Sequence, residues 1–504
     1  MGIDTPTLIT FIIYLVVMLG IGIVSYRMTS NLSDYVLGGR SLTPGVAALS
    51  AGASDMSGWL LLGLPGAVYA GGMSAAWIGI GLSVGAYLNW QFVAKRLRTY
   101  TEVSKDSITI PDYFENRFRD NSKVLRVISA IVILFFFTVY TASGLVGGAK
   151  LFQSSFDMTY TSALWIGAIV IISYTFLGGF LAVSWTDFIQ GILMFLALII
   201  VPIVAINKLG GWNETINQVG SIDPAYVDIM SGMGGTAGFF AIVSSLAWGL
   251  GYFGQPHILT RFMAVRSPDD IPKARLIGMG WMVVSLFGAI FTGLAGIAYF
   301  ADNPLEGAAS ETVFILFTQV LFDPWVAGIL LAAILAAIMS TVDSQLLVSS
   351  SALAEDFYKA ILRKNASEKE LVWIGRFAVL GIALIALLIA SDADSKVLTL
   401  VSYAWAGFGA AFGPVVILSL FWKRMTRNGA LAGIIVGAVT VVLWKVLSTP
   451  PEGAEQSAAV IPFSLYEIVP GFILATIAII VVSMMGNGPK DAVETEFDEV
   501  NDEI

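Results

Sequence analysis

The sequence predicts an all-α polytopic membrane protein with about 13 transmembrane helices, and three observations carry that prediction. Hydrophobic residues fill 57% of the 504 positions and charged residues 12%, whereas about a quarter of a soluble domain is charged. Thirteen apolar segments are each long enough to cross a hydrocarbon layer ~30 Å thick. The loops between them alternate between rich and poor in Lys and Arg. Of the 27 basic residues, 23 fall on one side, and the other side holds only Lys150, Lys208, Lys396 and Lys445. By the positive-inside rule the N-terminus is outside and the C-terminus cytoplasmic, as an odd number of spans requires.

In chain order the segments run at 7–26, 43–66, 73–94, 127–149, 159–180, 188–207, 235–255, 276–300, 312–342, 373–390, 397–421, 428–444 and 467–486. No basic n-region precedes the first, so it is expected to be retained as a span rather than cleaved. The loop from Lys95 to Arg126 has mixed charge and room for short interfacial helices. Polar stretches are too short for a second domain, which leaves one transmembrane domain at 1–486. The tail, 487–504, carries seven acids against Lys490 and reads as solvated and disordered.

Composition also excludes chemistry. There is no cysteine and one histidine, His257, so disulfides, thiol catalysis and His-based zinc sites fall away. No P-loop or GxGxxG pattern supports direct use of ATP or a dinucleotide. Scattered acids and one His do not make an enzyme constellation, and too few polar positions recur on successive segments for a channel lining. No nucleic-acid partner is expected; the surroundings are lipid.

The second span holds the first functional signal. Its segment from Leu42 to Gly72 has one charge, Asp55. With a helix starting after Pro44, that carboxylate lies about 16 Å along the axis, near mid-membrane. A charge there costs at least ~2.5 kcal/mol and needs compensation. Gly52, Ser54, Ser57 and Gly58 surround it and loosen a helix. A discontinuous helix with free carbonyls and amides is expected.

The seventh span has a second such centre, Leu246 to Pro256, with three glycines and a proline. It lies five spans later and enters from the opposite side. Interrupted helices at matching positions of inverted halves mark a transporter's central site. Spans 2–6 and 7–11 would be the repeats, with 1, 12 and 13 peripheral. In the ninth span Ala333, Ala337, Ser340 and Ser344 form one small face, which suits either close packing or, through Ser340 and Thr341, oxygen ligands for an alkali cation.

Several stretches carry a resemblance across the whole chain: Gly-Gly-Arg-Ser-Leu at 38–42, Ala-Ser-Asp-Met-Ser-Gly-Trp at 53–59, Phe-Leu-Gly-Gly-Phe-Leu-Ala at 176–182, Ser-Trp-Thr-Asp-Phe-Ile-Gln at 184–190 and Met-Ser-Thr-Val-Asp-Ser at 339–344. With Trp-Lys-Arg and Asn-Gly-Ala-Leu-Ala-Gly within 422–433, they resemble the sodium/solute symporter family. The resemblance implies a LeuT-like fold and symport of Na+ with a small organic solute, L-proline, in a bacterial inner membrane. It implies a sodium site from the carbonyls of Ala53, Met56 and Ala337 and the hydroxyls of Ser340 and Thr341. Asp55 would couple ion to solute. Ser57, Gly58, Trp59, Tyr140, Trp248, Tyr252 and Pro256 would form the solute site, and Arg40 and Asp187 would assist sodium handling or gating. Without that role, Arg40 marks topology and Asp187 caps the sixth span. The alternatives are a proton carried by Asp55 in place of Na+, or a different small solute.

Overall fold

A computed structural model describes residues 5–26, 36–175, 179–451, 456, 459–461 and 464–503. Among them the regular structure is helical, apart from one isolated β-bridge between Leu42 and Val265. The first span is α1 (Thr5–Tyr26). The second breaks into α2 (Pro44–Asp55), a π-helical turn at Trp59–Gly63, and α3 (Leu64–Gly71). The third is α4 (Ala76–Leu88), a π-helical stretch at Asn89–Ala94, and α5 (Lys95–Val103). A short helix, α6 (Ile110–Arg117), lies in the basic loop. Spans four to six are α7 (Val124–Phe156), α8 (Tyr160–Thr175) and α9 (Phe180–Lys208), and α10 (Trp212–Ile222) follows. The motif at 176–182 lies partly outside the described residues.

The seventh span is α11 (Gly235–Leu246), a 3-10 segment at Ala247–Gly254, and α12 (Pro256–Ala264). Then come α13 (Ile271–Tyr299), α14 (Val313–Leu321), α15 (Pro324–Ser351), α16 (Glu368–Ile389), α17 (Val397–Phe421), α18 (Arg427–Ser448), α19 (Ile468–Met485) and α20 (Asp491–Glu503). Ten helical stretches among the described residues are long and apolar enough to cross a membrane, and three shorter apolar helices accompany them. Large side chains such as Phe377, Leu384 and Leu388 on α16 point outward, a face that only lipid would cover.

Local chemistry accounts for both breaks. The Met56 amide still closes a helical bond to the Gly52 carbonyl at 2.8 Å, but the Ser57 amide turns back to Asp55 O at 2.9 Å. Ser57 Oγ then accepts from the Trp59 amide at 3.3 Å, so a side chain takes the place of the ladder. In the seventh span, glycines 249, 251 and 254 accompany the tighter 3-10 turn, Gln255 is extended, and Pro256 opens α12 at its first turn.

The third span and the broken seventh are drawn together by backbone contact. A Cβ on Gly85 of α4 would lie 2.1 Å from Gly249 O, and one on Gly249 would lie 2.3 Å from Gly81 O. Nothing flexible can yield there. Gly85→Ala should therefore lower the melting temperature of the purified protein, at about 1–3 kcal/mol for overpacking; an unchanged melting curve would mean that α4 does not bear on the break.

Four expectations need correction. The ninth span begins at Pro324 rather than 312, because Asp323 accepts from the amides of Trp325 and Val326 and starts a new helix after α14. Lys150 is no loop residue: it lies buried within α7, 2.7 Å from Glu311. Asp187 caps nothing, since α9 begins at Phe180 and places it two turns inside. The acidic tail is not a solvated coil. Val493, Phe497 and Val500 make a buried apolar stripe on α20, which packs on α5. Glu496 accepts from Arg119, and Lys423 lies 2.7 Å from Asp498. Net charge obscured a helical period of four and three.

Candidate functional site

Broken α2 presents its last turn to α15. Ser340 Oγ lies 2.8 Å from the Ala53 carbonyl and 3.1 Å from that of Ala337, and Thr341 Oγ1 lies 3.3 Å from Ala53 O. Both hydroxyls are buried. Met56 caps α2 at φ −81°, ψ 70°, which turns its carbonyl out of the helical direction. Two of the predicted sodium ligands thus meet a third at the Ala53 carbonyl, the Ala337 carbonyl joins them through Ser340 Oγ, and Met56 stands at the adjoining break. All are neutral oxygens, the donors a hard alkali cation takes.

Asp55 stands two residues beyond Ala53 and is buried, 3% exposed. Its Oδ2 accepts from the Tyr252 hydroxyl at 2.5 Å. Its backbone carbonyl accepts from Trp59 Nε1 at 3.1 Å and from the Tyr140 hydroxyl at 3.3 Å. Three aromatic residues from three spans therefore converge on one residue of the break. Trp248 continues that wall, its ring 6.3 Å from Trp59 and 5.4 Å from Tyr466. Trp405 on α17 donates through Nε1 to Trp248 O at 2.7 Å and packs edge-to-face with Tyr252, ring centres 5.0 Å apart. Gly251 has to be glycine: a Cβ there would sit 1.8 Å from Trp405 Nε1.

Other predicted residues lie elsewhere. Ser57 and Gly58 are at the break, and Gly58 rests against Ile338 of α15. Pro256 lines a different cavity with Pro111, Thr260 and Asp356. Arg40 sits at the entry to α2, donating to Asp106 at 2.8 Å, Met263 O at 2.7 Å and Ser107 O at 2.9 Å. Beside it, Leu42 N bonds to Ala264 O and Arg266 N to Leu42 O, each at 3.1 Å. That clip ties the start of α2 to the end of α12.

Asp187 reaches the ion ligands through Arg261, which sequence reasoning passed over, and Ser344 of the small face. Its Oδ2 accepts from Ser50 Oγ at 2.6 Å and from Arg261 Nη2 at 3.2 Å. Arg261 Nη2 also donates to Ser344 Oγ at 2.6 Å, and Ser344 donates to Ser340 O at 2.8 Å. Arg261 is fully buried, although its place in a basic inner segment suggests only topology. A buried ion pair is a poor source of stability but is costly to break on one side. Ser50 and Trp405 likewise had no signal beyond residue type.

The profile of the sodium:solute symporter family matches residues 35–437. The chain belongs to that family. Among curated relatives, the sodium/proline symporter of Escherichia coli K12 is 55% identical over 505 residues, covering 99% of this chain and 97% of its own. The high-affinity proline transporter PutP of Bacillus subtilis 168 is 54% identical over 485 residues, covering 96% and 99%. A solved structure of a Na+-coupled sialic acid symporter, substrate-bound and outward-open, superposes with a TM-score of 0.79 at 20% identity, covering 97% of this chain and 100% of the other. That likeness carries the fold: the symporter is LeuT-like and all-helical, with spans two and seven discontinuous. It is a multi-pass membrane protein.

Proposed function

We propose that this symporter takes up L-proline with Na+ by alternating access, in a bacterial inner membrane. It would act as a transporter and not as an enzyme, with the N-terminus outside and α20 in the cytoplasm. Residues 1–486 would form the transport domain and 487–504 a cytoplasmic appendage. The observation that carries the reading is the meeting of the Ser340 and Thr341 hydroxyls with the Ala53 carbonyl, Ser340 reaching the Ala337 carbonyl as well, two residues from a buried carboxylate. A sodium ion arriving there as substrate cross-links broken α2 to α15. That contact exists in one arrangement of the two helices and is lost when they part, so the ion shifts the population toward the solute-binding form.

The solute follows from the neighbouring groups and from the relatives, whose names specify proline. The Ser57 hydroxyl and the Gly58 amide suit its carboxylate, and the aromatic wall at Trp59, Tyr140, Trp248 and Tyr252 suits its ring and ammonium. A coupled proton on Asp55 is the second reading, and another small solute would fit the same coupling. Uptake of radiolabelled proline into proteoliposomes decides it: accumulation should require an inward Na+ gradient and should not follow a pH gradient alone.

Trp248 should govern which solute enters. It packs between Trp59 and Tyr466, so Trp248→Ala opens space and should weaken proline binding by about 3 kcal/mol or more while admitting bulkier imino acids. Competition by a series of proline analogues, beside sodium binding without solute, checks this. Lost sodium binding with an unchanged analogue ranking would make Trp248 a support of the helix break instead.

A further inference from the structure

Asn89 is the buried one of two amides in an apolar span, Gln91 being exposed, and it stands where α4 passes into its π-helical stretch. It is fully buried. Its Nδ2 donates to the Tyr252 carbonyl at 3.0 Å, and the hydroxyl of the same tyrosine donates to Asp55 at 2.5 Å. Three broken or bulged spans are thus linked in series, third to seventh to second. On the far side of the link, Asp55 Oδ1 and Asn89 Oδ1 accept no hydrogen bond from any described residue. Both residues line one cavity of about 20 Å³ with Tyr252, Gly52, Trp90 and Met282, and its volume suits one water-sized group held by two acceptors.

From this geometry we propose that Asn89 is a positioning residue of the coupling machinery, holding the break of the seventh span in register with the carboxylate of the second. Its hydrogen bond goes to the Tyr252 backbone, and it shares the cavity with Asp55 and with Met56, a predicted sodium ligand. Its effect therefore passes through Tyr252 to Asp55, by way of the direct bond and of the shared cavity. A π-helical turn at the same residue fits that role, because such turns redirect a side chain from the regular helical face. Burial of an unsatisfied amide oxygen costs free energy, so simple packing does not account for an asparagine here.

The inference rests on the symport reading, and its test separates the two. In the full-length purified protein, radiolabelled proline binding is measured without Na+ and at saturating Na+, and the ratio of affinities is the coupling factor. Asn89→Ala should lower that factor at least ~5-fold, while Na+ affinity without proline changes less than about twofold. Asn89→Asp, isosteric but facing the Tyr252 carbonyl with an acceptor, should do the same and guards against a misfolded alanine variant. In a Tyr252→Phe background, which lacks the bond to Asp55, Asn89→Ala should lower the factor by much less than it does alone. A wild-type coupling factor in either Asn89 variant, or full additivity with Tyr252→Phe, overturns the proposal. A wild-type protein whose proline binding ignores Na+ overturns the symport reading and this inference with it.

Discussion

Asp55→Asn should reduce sodium-driven proline uptake at least ~100-fold, the equivalent of about 2.7 kcal/mol, in protein that still inserts and folds. The amide oxygen of asparagine can accept from the Tyr252 hydroxyl as Oδ2 does now, so the wall around the break keeps its shape. What disappears is a negative charge that has no cationic side chain beside it, Arg261 being engaged by Asp187. Removing an unpaired buried charge relieves desolvation, so the melting temperature should stay level or rise. Initial rates in proteoliposomes, normalised to reconstituted protein, measure the loss. Uptake that persists and sheds only its pH dependence would favour a proton as the coupled ion. A lowered melting temperature would instead assign Asp55 a structural role.

Ser340→Ala combined with Thr341→Ala should raise the Na+ concentration for half-maximal uptake at least tenfold, about 1.4 kcal/mol. The pair removes two hydroxyls that approach the Ala53 carbonyl at 2.8 and 3.3 Å. Both positions are buried between α2 and α15, so each exchange removes a small group without opening a large cavity. The maximal rate at saturating Na+ should fall far less than the apparent affinity, because the ion still binds when supplied in excess. Unchanged sodium dependence in well-expressed protein would remove α15 from the ion site. The Ser344 hydroxyl, which receives the Arg261 hydrogen bond and donates to Ser340 O, supplies a control: Ser344→Ala leaves both ligand hydroxyls in place and should shift the half-maximal concentration less.

Much of this architecture was legible before any coordinates. Apolar length and the distribution of Lys and Arg mark the membrane helices, because a bilayer demands both with little regard to tertiary packing. The breaks were legible too, since Gly, Ser and Pro weaken a helix wherever they stand, and a carboxylate at mid-membrane requires a reason. The split at Phe322–Pro324 was missed because hydropathy runs through it, although Asp323 and Pro324 are an ordinary helix start. The tail was misread because its charge outweighed an apolar stripe of three residues.

By itself, then, the sequence determined a helical membrane protein with discontinuous second and seventh spans, a buried carboxylate in the first break, and a hydroxyl-bearing small face on the ninth. Only the tertiary structure decided that Ser340 and Thr341 face the Ala53 carbonyl, that Tyr252 reaches Asp55, and that Arg261 is buried on Asp187 rather than exposed at the membrane surface. It also brought Asn89 and Trp405 to the site from spans where nothing nearby in the chain announced them. The physical reason is that helix formation and membrane insertion read each segment's own composition, whereas a site built from several spans depends on which faces meet. Facing is set by close packing at points such as Gly85 against Gly249 O and Gly251 against Trp405, contacts between residues far apart in the chain that no local period encodes.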